Sequence, residues 1–155
     1  MHLVLERLNV IQNKVNEIII KKQLKISPKI IVVSKTFPID DIKPLLVSGH
    51  MHYGENKIQE AEKKWLGIKN DYKNLKLHMV GRLQSNKAKQ AVKLFDYIHS
   101  LDSEKLAIKI SKFQKELNKD VKIFIQVNLA NEDQKSGIDL NNLEKFYNYC
   151  TKELS

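Results

Sequence analysis

Apolar positions along the chain recur with two different periods, and the switching between them sets the fold class. Val4, Leu8, Ile11, Val15 and Ile18 fall three or four residues apart, which predicts an amphipathic helix over most of residues 2–23. Pro28 ends helical character, and Ile30, Ile31, Val32 and Val33 then form an unbroken β-branched run, which predicts a buried strand over residues 29–34. Ile42, Leu45 and Leu46 mark a short helix that Gly49 stops. A brief strand at residues 51–53 precedes a helix marked by Ile58, Ala61 and Trp65. The same pairing repeats with a strand at residues 75–80 and a helix through Ala88, Ala91, Val92 and Phe95. It repeats again with a strand at residues 96–99 and a helix through Leu106, Ile110, Phe113 and Leu117, for which Asp102 is the expected N-cap with Glu104 in the first turn. Residues 121–127 read as a fifth strand, and Leu143, Phe146 and Cys150 as the face of a closing helix.

Strands that each lead into a helix imply an α/β fold with parallel strands and crossover helices. The pattern alone leaves two architectures open, a doubly wound sheet and a (β/α) barrel. A dinucleotide sheet needs a glycine-rich turn after its first strand, whereas SKTFPIDD holds no glycine, and the phosphate-binding P-loop pattern is also absent. Both absences disfavour a nucleotide-binding sheet.

Composition narrows the function classes. With 42% apolar and 29% charged residues, the 155-residue chain reads as one soluble globular domain. No stretch of about 18 apolar residues predicts a membrane span, and MHLVLERLNV lacks the basic-then-apolar order of a secretory leader. The lone Cys150 has no partner for an internal disulfide, which suits a cytoplasmic protein. The net charge of +9 comes almost wholly from lysines spread along the chain, Arg7 and Arg82 being the two arginines. A nucleic-acid binder clusters its cations and uses arginine forks, so a lysine-biased solvated surface is the simpler reading.

In a parallel α/β fold, ligands bind at the carboxyl ends of the strands. Those ends carry Ser34 and Lys35; Tyr53, Gly54, Glu55 and Asn56; His78, Gly81, Arg82, Gln84, Ser85 and Asn86; His99 and Ser100; and Gln126 and Asn128. Asn56 reads equally as a helix N-cap, and His78 and His99 as structural histidines. No paired-cysteine or His-x-x-x-His spacing points to a metal. A strand-end lysine is ordinarily solvated. The flanking apolar residues raise Lys35 above that reading, because apolar walls would desolvate an amine and favour its neutral, nucleophilic form.

Four stretches then carry a resemblance. VVSKTFP, SGHMHYGENKIQEAEKKW, LHMVGRLQSNKAKQAVKLFDYIHSLDSEKLA and IQVNLANEDQKSGI, in this order, resemble the pyridoxal-phosphate homeostasis proteins, which are related to the N-terminal barrel of alanine racemase. The resemblance implies a parallel (β/α) TIM-type barrel of that kind, with pyridoxal 5'-phosphate held by Lys35 as a Schiff base and Asn56 beside it. It places His78, Gly81, Gln84, Asn86 and Lys87 in a family signature, and Lys135, Ser136 and Gly137 in a loop after the fifth strand. It further implies storage or delivery of the cofactor without established turnover, with cofactor-dependent apoenzymes as candidate partners. An amino-acid racemase of the same fold is the enzymatic alternative, and a nonfunctional remnant or a basic nucleic-acid binder the others.

Two departures matter. Phe37 stands where the family often has a second lysine. A complete barrel needs about 250 residues, so residues 1–155 are expected to form a single, incomplete barrel domain of about five of the eight strands. The family's later phosphate-cupping loops fall outside it. The expectation is a fragment of a longer protein or the product of a shortened gene, with weakened hold on the phosphate.

Overall fold

The computed structural model describes residues 2–129 and 136–154. The first helix, α1 (Leu3–Lys22), carries Glu6 in its first turn and Lys21 and Lys22 in its last, which suits the helix dipole at both ends. Five parallel strands follow: β1 (Val32–Val33), β2 (His52–Glu55), β3 (Lys76–Met79), β4 (Tyr97–Leu101) and β5 (Lys122–Ile125). The crossovers are α2 (Ile39–Val47), α3 (Ile58–Trp65) with the short α4 (Ile68–Asp71), α5 (Ala88–Leu94) and α6 (Glu104–Leu117).

The strands lie in the order β1-β2-β3-β4-β5, all pairs parallel. This order decides between the two architectures. A doubly wound sheet reverses its strand order partway and splits its helices between two faces. Here each strand adds beside the previous one in the same direction, so the helices collect on one face, as in a barrel wall. Tyr53, Leu77, Met79 and Ile98 point into that helix layer and are buried against Trp65, Ala61, Ala91, Val92 and Leu106, forming the core. The opposite, lumen-side face carries Ile31, Val33 and Val80 around Gly54, and beyond them His52, His78, Tyr97, His99 and Phe124.

Four expectations change. The apolar run at residues 29–34 is not a buried strand: only Val32–Val33 pairs, and Val33 is 45% exposed. A strand is buried by its neighbours, and β1 is an edge strand with β2 on one side alone. The N-cap of α6 is Ser103, whose hydroxyl accepts from the Leu106 N–H, and not Asp102. Lys57, not Asn56, occupies the N-cap position of α3. The strand expected at 121–127 breaks at Gln126, beyond which β6 (Val127–Asn128) pairs in parallel with β7 (Ile138–Asp139) before α7 (Leu143–Lys152). Gln126 makes the link, donating its N–H to the Leu101 carbonyl and accepting from the Ile138 N–H.

Candidate functional site

Immediately after β1 the chain turns back at Ser34–Phe37, where the Phe37 N–H donates to the Ser34 carbonyl at 3.2 Å. Lys35 and Thr36 are the two corner residues. Thr36 has φ +67, a left-handed conformation in which a β-branched residue is an outlier. Lys35 is exposed, and its amine has no hydrogen-bond or ion-pair partner among the described residues. The dry apolar wall expected around it is missing, since Val33 and Phe37 are 45% and 55% exposed. The apolar residues do flank the amine, but on an open face.

Asn56 leaves β2 at the matching height. Val33 pairs with Gly54 across parallel strands, and Lys35 and Asn56 each lie two residues further along, just past the ends of β1 and β2. The Asn56 side chain does not cap α3. Among the described residues its Oδ1 is buried without a hydrogen-bond partner, an uncommon state that leaves it free to accept from a ligand. Gly81 presses on it from the loop after β3: a side chain there would meet the Asn56 backbone, its Cβ 2.7 Å from Asn56 Cα. Glycine at 81 is what allows the β3 loop to close on the end of β2. Around Asn56 lies a cavity of about 180 Å³ that Gln59, Met79, Arg82, Gln84 and Lys87 also line. Gln84 and Lys87 of the family signature thus border Asn56, while Asn86 is exposed in the turn between them.

His78 and His99 belong to the lumen face. His78 stacks on Tyr97 with ring centroids 4.3 Å apart, and its two nitrogens lie 3.0 Å from His52 Nδ1 and 3.0 Å from His99 Nε2. Burial, reinforced by repulsion from His99 and His52, lowers the His78 pKa to about 4. Both ring nitrogens of His78 are taken up by His52 and His99, and among the described residues no group of three potential ligands is placed to hold a metal. Ser100 is buried with its hydroxyl unpartnered. After β5, Gln126 donates from its side-chain amide to the Ser136 carbonyl at 3.0 Å, and Gly137, at φ +135, packs on Asn128. Lys135 lies outside the described residues.

Sequence reasoning placed Glu55 among the strand-end residues without a task. Its side chain turns away from the mouth, into the helix layer, where Oε1 accepts from Ser34 Oγ at 2.7 Å, Lys64 Nζ at 2.8 Å and Trp65 Nε1 at 2.9 Å. Two-residue alternation beside the buried Tyr53 is the one signal that points Glu55 inward.

An unpartnered amine and an orphaned acceptor on adjacent strand ends fit a ligand that brings an electrophilic carbon together with a polar ring substituent. The chain's relatives bind such a group or are named for it. No protein-family model matches the chain. The pyridoxal phosphate homeostasis protein of Buchnera aphidicola (subsp. Schizaphis graminum) is 38% identical over 117 residues, which are 76% of this chain and 51% of the relative. That of Synechocystis is 39% identical over 111 residues, 72% of this chain and 50% of the relative. Among solved structures, PipY of Synechococcus elongatus with PLP bound superposes with a TM-score of 0.73 at 32% identity, over 91% of this chain and 65% of that one. Alanine racemase of Clostridium difficile matches at a TM-score of 0.62 and 15% identity, over 88% of this chain and 35% of that one, a likeness of fold alone. The chain spans about half the length of the curated relatives it matches, and within that span it belongs to the family of the pyridoxal phosphate homeostasis proteins.

Proposed function

We propose that this chain binds pyridoxal 5'-phosphate through Lys35 and takes part in intracellular cofactor homeostasis. The carrying observation is that Lys35 and Asn56 each follow by two residues the paired Val33 and Gly54 of adjacent parallel strands, with the Lys35 amine and the buried Asn56 Oδ1 both unpartnered among the described residues. The cofactor supplies an aldehyde that condenses reversibly with a neutral primary amine, releasing water. Lys35 offers that amine from an exposed turn. Asn56 accepts a hydrogen bond from the ring side and fixes its orientation, and Gly81 keeps Asn56 in place. Arg82 and Lys87 add positive charge beside Asn56, which favours an anionic ligand.

The relatives are named for homeostasis and not for a reaction, which favours a carrier over a catalyst. In that role the chain operates in the cytosol, and cofactor-dependent apoenzymes are the recipients. No helix among the described residues is long and apolar enough to cross a membrane.

Titration with pyridoxal 5'-phosphate tests the proposal. It should produce a visible absorbance band and a borohydride-stable adduct on Lys35. Cofactor-dependent loss of α-hydrogen from an added amino acid would instead favour the racemase reading.

A further inference from the structure

Ser34, the residue before Lys35, is held at every polar atom it has. Its N–H donates to the Gly54 carbonyl at 2.9 Å, and its hydroxyl to Glu55 at 2.7 Å. Its carbonyl accepts from Phe37 N–H and, at 2.7 Å, from Lys64 Nζ. Glu55 stands at the centre, fully buried, with Oε1 shared among Ser34, Lys64 and Trp65.

Stability alone does not account for this arrangement. A buried ion pair loses about as much in desolvation as it gains, and apolar replacements are often neutral or better. Glu55 also leaves its Oε2 buried without a partner, a further cost. On the other side of Lys35, Thr36 holds a left-handed conformation at φ +67, which is unfavourable for a β-branched L-residue. Such strain persists only where the surroundings over-determine the backbone. The over-determined residue here is Ser34, and the element so fixed is the turn that carries Lys35.

We propose that Glu55 is a positioning residue for the Lys35 amine, acting through Ser34 and Lys64 to hold the Ser34–Phe37 turn in its strained form. The inference rests on the reading of Lys35 as the cofactor-binding amine. Glu55 never meets the ligand; it sets where the amine stands relative to Asn56.

The test uses the full chain with pyridoxal 5'-phosphate as probe, borohydride trapping and peptide mapping of the labelled lysines. Exchange of the Phe37 amide, measured without the probe, reports the turn directly. In the wild type Lys35 takes the label in preference to the surface lysines. Ser34→Ala and Glu55→Gln should each lower the Lys35 share of label in folded protein by up to about tenfold, the worth of one buried hydrogen bond. Both should also speed Phe37 exchange, and the double variant should fall no further than Glu55→Gln alone, because Ser34→Ala removes one of the two links, the Ser34 hydroxyl and Lys64, that Glu55→Gln weakens. If Glu55→Gln does not fold, Ser34→Ala decides, since it removes a single hydroxyl. An unchanged Lys35 share and unchanged Phe37 exchange in folded Ser34→Ala, even with a lowered melting temperature, would overturn the positioning role alone. Absence of any Lys35 preference in the wild type would overturn the anchor itself, and the positioning role with it.

Discussion

Gly81 is the residue on which the Asn56 side of the site turns. What it does follows from a close approach: the loop after β3 lies on the Asn56 backbone with no room for a Cβ. Two of the three nearest obstacles, the Asn56 carbonyl oxygen and Cα, are main-chain atoms, which cannot swing aside as a side-chain tip would. Gly81→Ala should therefore destabilise the fold by about 1–3 kcal/mol through overpacking and displace Asn56, seen as a lower midpoint in urea unfolding together with weaker cofactor binding. At this scale the sequence points to candidates where the proposed chemistry sits on one residue. Lys35 stands out as an amine at a strand end, and Asn56 as a polar residue at the next. The tie between Ser34 and Glu55 was not legible, because they are 21 residues apart and meet only through the β1–β2 register. The N-cap reading of Asn56 failed because it depended on where α3 begins, and Lys57 holds that position.

The order of helices and strands was readable from periodicity, because each crossover helix buries one stripe and each central strand its helix-facing side. The burial of β1 was not, since a β-branched run is identical in a central strand and an edge strand. Periodicity also missed α4 and the β6–β7 pair, both too short to show a period. The lumen-side row of His52, His78 and His99 is an element-scale feature with a pH consequence. His78 is held neutral, its pKa lowered to about 4 by burial and by its two neighbours. The unfolded chain, with His78 at its usual value of about 6.5, then binds more protons than the folded one between those limits. The contribution from neutral His78 is complete above about pH 6.5 and is lost as pH falls toward 4. Allowing for solvent on the open lumen side, the loss is on the order of 2 kcal/mol. Urea unfolding at pH 7 and pH 4.5 should show it, and His78→Gln should flatten the difference; an equal slope in that variant would remove His78 as its source.

For the molecule as a whole, the sheet has two outer strands, β1 and β5, each paired on one side. Val33 and Phe124 are about half exposed on them, and an exposed apolar edge is a template for pairing with another chain. The 155-residue chain should self-associate with rising concentration in analytical ultracentrifugation. Val33→Lys should reduce that association without lowering the melting temperature, because Val33 contributes little burial; a fully monomeric wild type would contradict the edge argument. The half-length match to the curated relatives was legible in the sequence as a five-strand count against the eight of a closed barrel.

The central claim is that Lys35 is the amine that takes pyridoxal 5'-phosphate. Spectral titration of wild type and Lys35→Ala side by side tests it most directly, with circular dichroism to verify that both are folded. The account predicts a saturable visible band in the wild type and none in Lys35→Ala. A band of equal amplitude and midpoint in Lys35→Ala would contradict it.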